Sequence, residues 1–574
     1  MTRQGKKKWL RSLRSSKRGC MALAAVAVLG MCGSADAFDI DTGSEDLILK
    51  WDTTFRYTLA GRLKDQSDNI MSSVNHSDGD SNFGKGIVSS RLDVLTEADL
   101  VYKKSYGARL SAAGWYDPLL YSKTNKYNQF PNHLGPAGNP TPGFNNETKD
   151  QFGGVDGEVL DALVFAKFDV GDTAVGVRAG RHTIYWGEAF FPAANSNGIS
   201  YGQSPLDMAK ALAMPGVDLK EIFRPLNQIS TTIQPTKDIV IAAQYYLEWE
   251  QNKFPESGSY LGMLDGFMKG GESFYLPWGL TPNAGDHTPK NSGDWGVKVG
   301  YTPDWLNGTI GLHYRNFSDK MPQVLGANFF TPPGAPPFIT LPTKYYLDYK
   351  SDIELYGISF AKNIMGISVG SELSYRKNMP LTSQWFAPEG ARGDTMHAVL
   401  NFLSVLPKTA LFDTGTAILE FSYGRWDKVT SGAQYFTGNK NGLNIGGGPT
   451  NAGVDAATKD NSVVTLNVVP EWKQVMPGID LAMPLNFSAG MHGNAATLTG
   501  GTKGTGSYSA GLSFDVFAKY KVDLTYASFF GGVHPDANGQ INPPGLAAPG
   551  QGASDAIALL RDRDMLSLTI KASF

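Results

Sequence analysis

The chain has 574 residues, 41% of them hydrophobic and 18% charged, with a formal net charge of −3 and two cysteines, Cys20 and Cys32. An acid-leaning balance disfavours a nucleic-acid partner, which calls for a basic face, and two cysteines cannot build a disulfide framework. Beyond the first few dozen residues no stretch approaches the ~20 apolar residues of a membrane helix.

Residues 3–18 carry Arg3, Lys6, Lys7, Lys8, Arg11, Arg14, Lys17 and Arg18 and no acid. Met21 to Met31 is small and apolar, and Ala35-Asp36-Ala37 offers a cleavage site. This is the layout of a secretory signal over residues 1–37, with a mature start at Phe38. A lipoprotein reading through Cys32 is opposed by the large Met31, and a twin-arginine signal lacks its Arg-Arg pair. Cleavage removes both cysteines, so no thiol remains for a disulfide, a metal site or a nucleophile.

From Leu47 onward the period is two. Leu47, Leu49, Trp51, Thr53, Phe55, Tyr57 and Leu59 share one face, and Lys50, Asp52, Thr54, Arg56 and Thr58 the other. Similar segments recur at 87–102, 106–116, 159–170, 173–182, 226–234, 238–250, 293–302, 308–317, 352–362, 364–376, 395–405, 412–424, 462–472, 479–490, 506–516, 518–529 and 563–574. With the first they predict eighteen strands, sixteen being the alternative count. Alternation breaks at Tyr356 to Ile358, which predicts a bulge in the tenth strand. Connections after even-numbered strands are short, while those at 60–86, 117–158, 183–225, 251–292, 318–351, 425–461 and 530–562 are long. The final strand places Leu566, Leu568, Ile570, Ala572 and Phe574 on one face and ends the chain on an aromatic residue. Together these features predict an all-β fold: a transmembrane antiparallel barrel of a Gram-negative outer membrane, with short periplasmic turns and long extracellular loops. Residues 38–574 form its single domain. Trp51, Tyr57, Trp295, Tyr301, Tyr508, Phe514, Tyr520 and Tyr526 fall where aromatic girdles belong. Only Phe38 to Asp46 precedes the first strand, so any gate is expected from an inserted loop rather than an N-terminal plug.

Strand registers put Arg56, Arg91, Asp93, Glu97, Arg178, His182, Glu248, His313, Arg315, Glu372 and Arg376 on the lumen wall. Lys50, Asp52, Asp99, Asp161, Lys167, Lys298, Lys521 and Asp523 join them. The signs are mixed, so no strong ion selectivity follows; solvating or cross-linking the inner wall is the plain alternative. The loop 183–225 stands apart. It carries Trp186, Glu188, Phe190 and Phe191, then a helix signature with Ser204 as N-cap, Pro205 at the first helical position, Asp207 in the first turn, and Met208, Leu212 and Met214 on or near one face until Pro215. A loop so apolar is poorly suited to open water. It is expected to fold on the rim or into the barrel, where these residues would form a constriction.

Signals for chemistry are weak. Gly366-Ile367-Ser368-Val369-Gly370 spells a hydrolase motif, but Ser368 sits inside an alternating strand instead of a strand-to-helix turn. The eight histidines show no zinc spacing. Asp78-Gly79-Asp80-Ser81-Asn82 lacks the acid that completes a calcium loop and reads as a solvated loop. The residues call for no cofactor and no metal, and the chain is not read as an enzyme.

Several blocks carry a resemblance: Ser89-Ser90-Arg91-Leu92-Asp93, VLDALVFAKFDVG from Val159, VRAGRHTIYWGE from Val177, PGVDLKEI from Pro215, YYLEWE from Tyr245, SYRKNMP from Ser374 and LRDRD from Leu560. With these the chain resembles, from about Phe38 to Phe574, a proteobacterial outer-membrane protein family catalogued as domain of unknown function thirteen-oh-two. The resemblance implies a secreted barrel, a periplasmic or lipoprotein partner and an inner-membrane permease, and supplies neither substrate nor catalytic residues. The expected function is a porin-like channel for small amphipathic or hydrophobic molecules. A non-conducting barrel that receives lipidic cargo is the alternative, and an outer-membrane hydrolase the third reading. Outer-membrane lipids and, through the strand ending at Phe574, the barrel-assembly machinery are the further partners expected.

Overall fold

The computed structural model describes residues 38–40, 42–119, 132–135, 137–141, 144–153, 156–191, 196–213, 219–337, 339–443, 445 and 447–574. The signal segment and its cleavage site near Ala37 lie outside the described residues, as does Met214.

Among the described residues, eighteen antiparallel strands close into one barrel. They are β1 (Leu47–Arg62), β2 (Gly86–Tyr102), β3 (Tyr106–Tyr116), β4 (Asp156–Val170), β5 (Thr173–His182), β6 (Leu226–Thr236), β7 (Ile239–Tyr246), β8 (Trp295–Tyr301) and β9 (Gly308–Phe317). The second half comprises β10 (Ile353–Ile364), β11 (Ile367–Pro380), β12 (Arg392–Leu406), β13 (Thr414–Ser431), β14 (Asp460–Met476), β15 (Ile479–Ala482, resuming at Leu485–His492), β16 (Gly506–Val516), β17 (Tyr520–Phe530) and β18 (Met565–Ser573). Each pairs with its neighbours in sequence, and β18 returns to β1, from Arg62 opposite Met565 to Thr54 opposite Ser573. Closure leaves no strand edge unpaired in lipid, the condition for a sheet to span a membrane. Phe574 continues the ladder, exchanging backbone hydrogen bonds of 2.8 and 2.9 Å with Thr53 while its ring meets Phe55 edge-on at 6.1 Å. Phe38–Ile40 pairs with β1 beyond the point where β18 ends.

The outward face is an apolar belt, with Val164, Phe168, Leu312, Ile358, Leu400, Phe421, Leu524 and Leu568 exposed. Trp295 and Tyr301 mark the two ends of β8, one at each interface. The turn at Lys103 and Lys104 (φ 50° and 56°) and that at Met365 and Gly366 (54° and 86°) use the left-handed backbone of tight hairpins.

The predicted bulge in β10 is absent: its ladders to β9 and β11 run without a register shift. The pattern looked broken because Ile353 and Leu355, which point inward, are apolar and fully buried against an inserted loop. The bulge lies instead in β11, between Arg376 and Met379.

The long loops pack together over the extracellular mouth and contain apolar cores of their own. One gathers Ile70, Phe83, Tyr260, Leu261, Leu559 and Leu560; another gathers Phe274, Tyr345, Leu347 and Phe386. Asp78 to Asn82, read from sequence as a solvated loop, is a short helix inside this cap, with Asp78 and Asp80 buried. Asp80 is 2.7 Å from Arg62 and 3.3 Å from Arg563, and Arg62 also reaches Asp562 at 2.9 Å. The carboxylate is retained because two guanidinium groups compensate its burial.

Candidate functional site

The described residues of the 183–225 segment, 183–191, 196–213 and 219–225, lie inside the barrel as a strap. Its backbone is held by charged side chains of the wall. Glu372 on β11 accepts the amide hydrogens of Glu188, Ala189 (2.9 Å) and Ile199 (2.5 Å). Glu420 on β13 accepts those of Phe190 (2.6 Å) and Phe191 (3.3 Å). Arg315 on β9 donates to the carbonyls of Ile199 (2.9 Å) and Tyr201 (2.7 Å), and Arg376 on β11 to those of Ser196 (3.1 Å) and Gly198 (2.8 Å). Acids take the strap's donors and arginines its acceptors. A non-regular segment inside a barrel needs this arrangement, because its backbone groups have no ladder of their own.

Side chains fit the same path. Ile199 fills the recess formed by Leu355 and Gly357, where a Cβ on Gly357 would lie 2.9 Å from the Ile199 side chain. Gly187 takes φ +109° against the Glu372 carboxylate, a conformation and a proximity that a side chain would forbid. The Asn401 amide donates to the Glu188 carbonyl at 2.7 Å, and His397 meets Asn197 at 2.7 Å. Trp186 lies buried with its ring 6.2 Å from that of His313, its amide donating to Gln203 at 2.8 Å.

The strap helix begins at Met208 and runs to Ala213. Asp207, not Ser204, caps it, accepting the Lys210 amide at 2.9 Å. Ser204 and Pro205 are displaced from the cap because Leu206 forms a bridge with Phe223, reinforced by hydrogen bonds of 2.8 Å from Asp207 to Ile222 and from Arg224 to Pro205. Arg56 on β1 pairs with Glu221, Lys210 with Glu158 at 2.9 Å, and Arg224 with Glu250 at 2.5 Å, fastening the returning limb.

The predicted lumen residues therefore divide into two groups. Arg56, Arg315, Glu372 and Arg376 face inward but are covered by the strap they hold. His313 is buried beside Trp186, 3.2 Å from the Ser359 hydroxyl. Arg91 and Asp93 pair with each other at 2.9 Å, with Arg91 over the Trp115 ring at 5.2 Å. Glu248 lies beyond the end of β7, which stops at Tyr246, and is tied to Arg181 at 2.8 Å and Asn227 at 2.7 Å. Glu97, Arg178 and His182 do line open space. Arg109, absent from the sequence prediction, gathers the acids of this wall: it contacts Glu97, Asp99 at 2.9 Å and Asp161 at 3.3 Å. His182 is held to Ser230 at 2.8 Å.

That space lies under the strap. One cavity of about 600 Å³ is lined by Glu97, Arg109, Asp161, Arg178, Glu188 and Phe190, among others. A second of about 930 Å³ shares Arg109, Arg178 and Tyr185 with it and continues past Lys167 and Asp169 toward the periplasmic turns. On the extracellular side of the strap lies a third, of about 380 Å³. Met208 and Leu212 from the strap, Phe254, Met263 and Phe267 from the loop after β7, and Trp385 from the loop after β11 give it a largely apolar lining. Of the predicted constriction residues, Glu188 and Phe190 thus face the polar side and Met208 and Leu212 the apolar side.

The clamp residues Glu420, Asn401 and His397 went unpredicted. Glu420 had a signal: a lone acid amid the apolar run Ala417-Ile418-Leu419, in a register that points inward. Ser368 lies in the β11 ladder opposite Asn363 and Leu403, within regular strand.

Comparison with known proteins gives one sequence match. A family described as "Protein of unknown function (DUF1302)" matches residues 18–574. No curated protein matches the chain in sequence. Among solved structures, Pseudomonas aeruginosa OpdK with vanillate aligns at 9% identity and a TM-score of 0.37, covering 92% of this chain and 98% of that one. Acinetobacter baumannii OccAB1 aligns at 9% identity and a TM-score of 0.40, covering 94% and 99%.

Proposed function

The chain belongs to the DUF1302 family, a family of proteins of unknown function, and from its own barrel and strap we propose that this porin-like barrel passes small amphipathic or hydrophobic molecules, with the 183–225 strap as its constriction. The observation that carries the reading is the clamp. Acids and arginines on three strands hold the strap's backbone inside the lumen, with a largely apolar cavity on one side and, on the other, a cavity lined by Glu97, Arg109, Asp161 and Arg178. A narrow strap with an apolar approach hinders hydrated ions more than solutes that can shed their water, because a buried charge pays the larger desolvation penalty. The reading is of a non-enzymatic channel.

The cargo-docking reading draws on the same apolar cavity, and conductance separates the two. Single-channel recording in planar bilayers should show discrete steps that a hydrophobic solute blocks. Deleting Tyr201 to Gly216 should raise the step size several-fold. Silence from folded, inserted protein would reject the channel and leave a barrel that receives cargo from periplasmic partners.

A further inference from the structure

The apolar cavity above the strap and the polar cavity below it share one lining residue, Phe223. The ring sits on the returning limb of the strap, its backbone bridged to Leu206, and is almost fully buried. Tyr185 packs edge-on against it at 5.6 Å and lines both polar cavities. The lower cavity is lined by the charged side chains Glu97, Arg109, Asp161, Arg178 and Glu188, the upper one by two, Lys320 and Asp555, and Phe223, backed by Tyr185, stands between them. The lower two share the wall residues Arg109, Leu163 and Arg178 and together make up the vestibule.

The upper cavity has the volume and lining of a small-molecule site: about 380 Å³, within the usual range of such pockets, and bounded by strap and loop residues from several segments. Its walls offer methionine sulfur, aromatic faces and aliphatic groups, which accept apolar bodies of varied shape. Resting on the channel reading above, we propose that this cavity is a binding station for one neutral, hydrophobic molecule of aromatic size, and that Phe223 is the partition which that molecule must displace to enter the polar vestibule. The strap's backbone is clamped, so the passage opens by rotation of the ring and not by withdrawal of the strap. The apolar lining holds the solute, and Phe223, which belongs to that lining, also sets the barrier to passage.

The test uses the full mature chain in lipid nanodiscs with N-phenyl-1-naphthylamine as probe, reading energy transfer from tryptophan after subtraction of empty nanodiscs. Saturable one-to-one transfer is expected, reduced by at least half in Trp385→Phe and abolished in Ala211→Trp, which fills the cavity. Absence of saturable transfer, or its survival in Ala211→Trp, would overturn the binding station. In planar bilayers Phe223→Ala should raise unitary conductance at least two-fold, with Phe223→Leu intermediate and serving as the readout if the alanine variant fails to insert. Unchanged conductance in inserted Phe223 variants, beside a rise on deletion of residues 201–216, would overturn the partition and leave the channel standing. No change in either would remove the channel reading itself.

Discussion

Replacing Glu372 with alanine tests the clamp most directly. Its buried carboxylate accepts three strap amides, those of Glu188, Ala189 and Ile199. A hydrogen bond to a charged group contributes roughly 1.5–3 kcal/mol, and leaving a buried donor unmet costs about as much. Three bonds would sum to more than 4 kcal/mol, but they share one acceptor whose own desolvation offsets part of the gain, and water can enter the space left behind. A net loss of about 3 kcal/mol is the expected scale, which weakens docking about 100-fold. The other anchors, Glu420, Arg315 and Arg376, remain, so the barrel itself should insert normally. Single-channel traces of Glu372→Ala should show frequent excursions to a larger conductance, and added protease should cut within residues 183–225 faster than in the unaltered protein. Glu372→Gln keeps an acceptor oxygen and should fall between the two. An inserted Glu372→Ala protein with quiet, unaltered conductance and no faster strap cleavage would refute the clamp.

The recess at Gly357 gives a second perturbation: Gly357→Leu must displace Ile199, and should reproduce the unclamped conductance without touching any charged anchor. The extracellular cap should weaken as pH rises. Burial pushes Glu256 up to about 8 and Asp265 and Asp455 up to about 7. An acid with a raised folded-state pKa binds a proton that the unfolded chain has released, so its contribution is full below about pH 4 and is lost as pH passes 7 to 8. Loop proteolysis should therefore accelerate between pH 6 and pH 9, and Glu256→Gln should blunt the change; equal rates at both values would reject it. Phe574→Ala removes the ring against Phe55 and should lower the yield of heat-modifiable, assembled barrel, whereas Phe574→Trp should preserve it.

The blocks that carried the family resemblance fall largely on the seams between wall, strap and cap. Arg376 of SYRKNMP holds the strap, and Tyr246 of YYLEWE donates to the Gln203 carbonyl at 2.5 Å. Glu221 of PGVDLKEI meets Arg56. Arg563 of LRDRD donates to the carbonyls of Tyr260 at 2.7 Å and Gly262 at 2.5 Å. These are the places where backbone lacks a ladder and side chains must supply its hydrogen bonds.

The barrel was legible from sequence because lipid imposes it locally. Every strand must alternate and every backbone group must find a neighbouring strand, so period and turn length made the strand order legible before any contact was known. Even there, the inward Ile353 and Leu355 hid a regular strand, since sequence could not show that an apolar surface awaited them inside the lumen. The lumen registers were legible too, but their use was not. Arg315 and Arg376 read the same as Arg178 along a strand; the first two grip the strap and the third faces open space. That distinction depends on where a segment more than a hundred residues away in sequence comes to rest. Periodicity reports which face a side chain takes, whereas only the closed tertiary structure decides what meets it there.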